Sequence, residues 1–154
     1  MSNTWLLSWN PKNWKWEKYS EWCSGTKNGQ HYTESWTCHS KKPAIGDEFF
    51  LMKTGEQPRG IIGHGYIANE SYDAPHYNAE RALKGEVTNH IDVSFDLILN
   101  YENEPILLQN DLKDVLPEQQ WSPQGSGIQI RPEIVPLLSK LWAQTLTSFP
   151  AEIK

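Results

Sequence analysis

Gly60-Ile61-Ile62-Gly63-His64-Gly65-Tyr66-Ile67 reads as a strand carrying glycine at three of eight positions. Such glycines permit a bulge, strong curvature or the close approach of another backbone. Working outward, His90-Ile91-Asp92-Val93-Ser94-Phe95-Asp96-Leu97-Ile98-Leu99 alternates cleanly. Its apolar face is Ile91, Val93, Phe95 and Leu97, with Asp92, Ser94 and Asp96 opposite. Thr4 to Ser8 reads as a short buried strand ended by Asn10-Pro11, and Glu34 to Cys38 as a short extended stretch. Lys42 to Asp47 turns into a strand over Glu48 to Lys53. Bent strands with few, peripheral helices predict an α+β, mainly β fold: a strongly curved β-barrel with short flanking helices and a C-terminal helix.

The helical signals are weaker. Residues 12–24 hold Trp14, Trp16, Tyr19 and Trp22 at roughly helical spacing, and Gly25 to Gly29 reads as a loop. Ala79 to Lys84 predicts one or two helical turns stopped by Gly85. Residues 100–127 read mostly as connection, punctuated by Pro105, Pro117 and Pro123. Residues 131–146 predict a terminal helix, with Pro132 near its first turn and a stripe of Ile134, Leu137, Leu138, Leu141, Trp142 and Leu146.

The 154 residues suggest a single domain, with enough chain to bury a core without disulfide or metal staples. No run approaches 18 apolar residues, and Met1 to Trp9 is too polar for a signal peptide. Neither a membrane partner nor secretion is expected. Two cysteines, Cys23 and Cys38, make no disulfide framework, which predicts a cytoplasmic protein with reduced thiols. The net charge of −5 argues against an overall basic coat, but the charge is uneven. Residues 1–66 carry +2 and residues 67–154 carry −7. A polyanion would therefore meet the first half, where Lys12, Lys15, Lys18, Lys27, Lys41, Lys42, Lys53 and Arg59 interleave with aromatics.

Catalytic signatures are missing. There is no Gly-x-Ser-x-Gly elbow, no phosphate-binding loop ending in Lys-Ser/Thr and no His-Glu-x-x-His. Cys23, His31, Cys38 and His39 lack the paired short intervals of a structural zinc module. Asp92 and Asp96 would stand about 13 Å apart along one strand, too far for a carboxylate dyad. The expectation is a domain without catalytic residues, metal or cofactor.

What remains is aromatic wealth: eight tryptophans, six of them before residue 40. Trp5, Trp14, Trp22 and Trp142 are expected in the core. Others stand beside short polar residues, as in Ser8-Trp9-Asn10, Trp36-Thr37-Cys38 and Pro75-His76-Tyr77. Flat rings flanked by amide, hydroxyl and carboxylate groups suit a nucleobase pocket, where rings sandwich the base and polar groups read its edge.

Thr4-Trp5-Leu6-Leu7-Ser8-Trp9-Asn10-Pro11-x-x-Trp14, Trp36-Thr37-Cys38, Ile45-Gly46-Asp47-x-Phe49-Phe50-Leu51 and Pro58-Arg59-Gly60-Ile61 follow one another in order. His76-Tyr77, Gly85-x-x-x-x-His90-Ile91-Asp92-Val93-x-Phe95-Asp96 and Trp121-x-Pro123-Gln124-x-Ser126-Gly127-x-x-Ile130 continue the series. Over nearly the whole chain, 1–154, the series resembles the EVE domain of the PUA-like superfamily, a relative of YTH domains. The nearest variety is the N-terminal module of modification-dependent HNH endonucleases.

The resemblance implies a curved PUA-like barrel with a pocket for one modified base. For nuclease-linked modules that base is a modified cytosine, such as 5-methylcytosine or 5-hydroxymethylcytosine, flipped out of double-stranded DNA in a prokaryotic cytoplasm. It implies Trp36 as the first cage ring, Tyr77 after His76 in place of the usual tryptophan, and Thr37 and Cys38 beside the cage. It further implies Ser8, Trp9 and Asn10 at the pocket mouth and Asp92 as acceptor for the cytosine amino group. Lys12, Lys15, Lys41, Lys42 and Arg59 are the expected phosphate contacts. A fused nuclease domain is a possible partner, and the end soon after Phe149-Pro150 favours a reader excised from a longer chain. A YTH-like reader of methylated RNA and a small non-catalytic adaptor are the alternatives.

Overall fold

The computed structural model describes residues 2–123 and 125–147, so Gln124 and the Phe149-Pro150 end lie outside the described residues. One mixed sheet organises them. Its strands are β1 (Thr4–Trp9), β2 (Tyr32–Thr37), β3 (Glu48–Lys53), β4 (Gly60–Pro75), β5 (Val87–Ile98), β6 (Leu107–Leu108) and β7 (Ile128–Gln129). The order is β2-β5-β4-β3-β1-β7, with β6 paired to β4. β1 runs parallel to β3 in unbroken register from Thr4 beside Glu48 to Trp9 beside Lys53. The other pairings are antiparallel.

The sheet bends where the glycines stand. Pairing slips between His64 and Gly65, and a Cβ on Gly65 would lie 1.9 Å from the Ser94 carbonyl oxygen. At Gly60 a Cβ would lie 2.3 Å from the Leu107 carbonyl oxygen. Only glycine lets these backbones approach so closely. β4 also runs eight residues past its expected end at Ile67, forming with β5 a long hairpin.

Each face of the sheet buries its own apolar layer. One holds Trp5, Leu7, Trp9, Trp16, Trp22, Trp36, Phe49 and Phe95 under α1 (Tyr19–Lys27). The other holds Leu6, Phe50, Met52, Ile61 and Leu99 under α3 (Gln109–Val115) and α4 (Val135–Thr147). Alternation along β1 accounts for Trp5 and Leu7 facing one layer while Leu6 faces the other. Fully burying side chains of this size contributes about 1.5–3 kcal/mol each, so the doubly covered strands carry much of the stability.

Helix α1 departs from expectation at both ends. It starts at Tyr19, because Trp16 is buried among Trp9, Tyr19, Trp22 and Trp36 in the segment before it. It also continues through Gly25, where the Tyr32 ring occupies the space a side chain would need. Tyr19 Oη donates to the Leu99 carbonyl and Lys27 Nζ to the Ile98 carbonyl, docking α1 on the end of β5.

The stretch 100–127 contains β6 and α3, which were expected to be connection. A 3₁₀ turn, Pro132–Ile134, leads into α4, which buries Leu138 and Trp142; Leu137, which the predicted stripe included, is instead 41% exposed. Between β4 and β5 lies α2 (Ala79–Leu83), closed by Gly85 at φ +83°. No helix among the described residues is long and apolar enough to cross a membrane.

Candidate nucleobase-sized cavity

The ladder is open between its end strands, β2 and β7, so the expected barrel is incomplete among the described residues. Individual hydrogen bonds span the gap instead. Trp36 Nε1 donates to the Ser8 carbonyl at 3.0 Å, and His39 N donates to the Ser126 carbonyl at 2.7 Å. Ser126 Oγ in turn accepts from Ser8 N at 3.1 Å. A cavity of about 770 Å³ opens at this seam.

Three elements bring the walls together. β1 delivers Ser8, Trp9 and Asn10; its Asn10-Pro11 turn, in which Trp14 N donates to the Asn10 carbonyl, brings Trp14 back to the cavity. β2 supplies Glu34, Ser35, Trp36 and Thr37. The β4–β5 hairpin supplies His76, Tyr77, Arg81, Glu86 and Thr88. Trp14 meets Trp36 edge to face, with ring centroids 5.4 Å apart at 86°. Tyr77 lies against His76 at 4.3 Å and is 42% exposed. Two perpendicular indoles and an exposed phenol thus line a mostly polar space.

Of the residues the resemblance implied, Ser8, Trp9, Asn10, Trp36, Thr37, His76 and Tyr77 all line this cavity. Trp36 is 5% exposed and packs against Phe95 and Trp16, so it belongs to the core as well as to the wall. Two implied residues stand elsewhere. Cys38 is fully buried behind the seam, where its Sγ would meet a Cβ on Gly127, and burial raises its thiol pKa. Asp92 accepts a hydrogen bond from Tyr72 Oη, with Asn69 Nδ2 at 3.5 Å, and is not part of the lining. The reason is strand alternation: Ile91 and Val93 are turned into the core, so Asp92 is turned away from it.

Other cavity residues were not anticipated. Trp14 was expected in the core but is only half-buried and faces the cavity. Glu34 shares a strand face with Trp36, two residues away, a relationship the period of two already contains. Its Oε2 accepts from Ser35 N at 3.0 Å, and its other oxygen has no hydrogen-bond partner among the described residues. Arg81 holds Glu86 by Nε at 2.9 Å, and this contact keeps the Glu86 carboxyl below its usual range. His39 and His90 complete the polar lining.

The expected phosphate contacts Lys12, Lys15, Lys41, Lys42 and Arg59 are all exposed. Lys12 pairs with Glu56 at 3.0 Å and Arg59 Nε donates to the Gly55 carbonyl, so Lys15, Lys41 and Lys42 are the less engaged three. Lys53 leaves the basic set: it is 2% exposed, donates to the Glu56 and Pro58 carbonyls and lies 4.5 Å from the Tyr101 ring centre. Lys27 is likewise engaged, with Glu104 at 2.7 Å. No group of three or more His, Cys, Asp or Glu is placed to hold a metal among the described residues.

No family model matches the sequence, and no curated protein matches it. Solved structures do. A hypothetical protein from Leishmania major aligns with TM-score 0.62 at 14% identity, over 94% of this chain and 97% of that one. A Pseudomonas syringae protein aligns with TM-score 0.58 at 19% identity, over 90% and 99%. Human THYN1, solved in complex with DNA containing 5-methylcytosine, aligns with TM-score 0.56 at 14% identity, over 91% and 97%. At these identities the likeness is one of fold: the chain has the PUA-like, mainly β architecture.

Proposed function

We propose that this chain is a non-catalytic EVE-like module that takes one modified cytosine, flipped from double-stranded DNA, into the seam cavity. The observation that carries the reading is the meeting of Trp14, Trp36 and Tyr77 with Asn10, Glu34 and Thr37 around one cavity of about 770 Å³. That volume lies in the range of about 300–1,000 Å³ usual for ligand sites. Rings provide stacking faces, contributing on the order of 1–3 kcal/mol per base, and the polar groups provide an edge to read. Glu34 takes the role the resemblance implied for Asp92: acceptor for the exocyclic amino group, which thymine lacks. The 5-methylcytosine DNA bound to THYN1, a chain of the same fold, supports the choice of ligand. The resemblance to nuclease-linked modules supports a specificity role beside an HNH endonuclease.

Electrophoretic shift on matched duplexes tests the reading, modified against unmodified, with methylated single-stranded RNA as a third probe. Preference for the modified duplex is the expected result. Preference for the RNA, or no binding to any probe, overturns it.

A further inference from the structure

The β4–β5 hairpin carries apolar side chains that do nothing for the fold. Helix α2 at its tip buries none of its residues. Leu83 is 89% exposed, Val87 61% and Tyr77 42%, all within one short stretch of chain. A lone exposed leucine needs no explanation, but three exposed apolar side chains at one hairpin tip call for one.

The projection is firmly built. The Asn78 side chain caps α2, accepting from Glu80 N at 3.0 Å and Arg81 N at 3.2 Å. Gly85 N donates to the Ala82 carbonyl and Glu86 N to the Arg81 carbonyl, both at 3.0 Å. The Arg81–Glu86 pair clasps the two sides, and His76 N closes the base of the tip on the Glu86 carbonyl. Leu83 is therefore held outward by a closed frame. The same frame is continuous with the cavity, because His76, Tyr77, Arg81, Glu86, Val87 and Thr88 all line it. Lys84 adds a positive charge next to Leu83.

A nucleotide turned out of a duplex leaves a gap in the base stack, and an apolar side chain inserted there offsets the lost stacking. We propose that the α2 tip enters the duplex at the flipped position, with Leu83 filling the gap while the base occupies the adjoining cavity. This rests on the modified-base reading above. The wedge and one wall of the pocket then share a single hydrogen-bonded hairpin tip, which fixes their spacing before DNA arrives.

Single-stranded DNA has no stack to fill, and this separates wedge from pocket. Anisotropy titrations would compare wild type, Leu83→Ala and Leu83→Met on a duplex with one 5-methylcytosine and on the same strand alone. Leu83→Ala should weaken duplex binding about 10-fold or more while leaving single-strand affinity unchanged, and Leu83→Met should stay near wild type. Equal duplex affinities for wild type and Leu83→Ala, or equal losses on both probes, overturn the wedge. If wild type binds neither probe, the base-recognition reading itself has failed and the wedge falls with it. That outcome is distinct from failure of the wedge alone, in which wild type still binds both probes. Leu83 touches no core, so circular dichroism of the variants should match wild type.

Discussion

The Trp36 indole N–H donates to the Ser8 carbonyl at 3.0 Å, across the seam where the sheet ladder stops. One side chain is thus both a cavity wall and a clasp between the two edges of the fold. Trp16, 5.1 Å from Trp36 by ring centres, is equally buried, but its Nε1 has no hydrogen-bond partner among the described residues. The pair separates ring packing from hydrogen bonding. Trp36→Phe leaves the part-buried Ser8 carbonyl without this donor and should cost about 0.5–1.5 kcal/mol beyond the lost ring volume. Trp16→Phe removes an unpaired donor and should cost less. Urea denaturation of both variants checks the order, and Trp16→Phe proving the more damaging would contradict it. Trp36→Ala should destabilise by about 3–5 kcal/mol, so it cannot serve as a clean binding variant.

His64 gives the domain a pH-dependent stability. Its ring donates to Asp96 on β5 at 2.9 Å and to Glu48 on β3, under Trp142 of α4 and beside Tyr66. Burial pulls the imidazolium pKa down, but hydrogen bonds to Asp96 and Glu48 and their charges more than offset this, raising it from 6.5 to about 9. A pKa raised on folding contributes stability that is fully present below the unfolded value and lost as pH rises through the folded one. Stability should therefore fall between about pH 6.5 and 9, by on the order of 3 kcal/mol. Thermal unfolding across that window should show the decline in wild type and a flatter profile in His64→Gln. Parallel profiles would remove His64 as the source.

Gly65 should tolerate no side chain. A Cβ there would lie 1.9 Å from the Ser94 carbonyl oxygen and 2.9 Å from the Phe49 ring, so the β4–β5 bulge would have to open. Gly65→Ala should lower the melting temperature more than Gly85→Ala, whose site has open space around it and pays only for a positive φ of +83°. The reverse order in differential scanning calorimetry would mean the bend does not depend on Gly65.

The exposed Lys15, Lys41 and Lys42, as proposed phosphate contacts, predict salt dependence. Affinity for duplex DNA should fall as salt rises, with a logarithmic slope near −0.9 per phosphate neutralised. Lys41→Glu with Lys42→Glu should weaken modified and unmodified duplexes alike and make the slope shallower. A loss confined to the modified duplex would contradict a backbone role.

How much of this was legible follows from the range over which each signal acts. The limits of β3, Glu48 to Lys53, were readable because an apolar run lies between a Gly46-Asp47 turn and a Gly55 loop. The curvature was readable from the run Gly60, Gly63 and Gly65: at 60 and 65 the glycines mark backbone contacts a Cβ would block, and at 63 the packing is merely tight. Helix α3 was not: seven residues with Leu112 as the apolar residue turned inward give too little period to register. The seam was not readable either, because nothing local tells that Ser126 will meet Ser8 and His39. Asp92 teaches a different lesson. The alternation of β5 turns it away from Val93 and Phe95, against the role that the family resemblance implies for it. The period-two rule on β2, applied from Trp36, would have found Glu34.

That exchange of carboxylates is directly testable. A carboxylate accepts and cannot donate, so Glu34 in the cavity favours the amino group of cytosine and opposes the carbonyl that thymine presents in its place. Glu34→Gln introduces a donor while keeping the shape. It should weaken binding of 5-methylcytosine and narrow its advantage over thymine, by about 1–3 kcal/mol in discrimination. Asp92→Asn changes charge by the same amount but at a site held by Tyr72, so the 5-methylcytosine to thymine ratio should stay at the wild-type value. Both variants would be titrated against duplexes differing only at that one base. An unchanged ratio in Glu34→Gln assigns the edge to Asn10, Thr37 or main-chain groups, and a shifted ratio in Asp92→Asn would return Asp92 to the site.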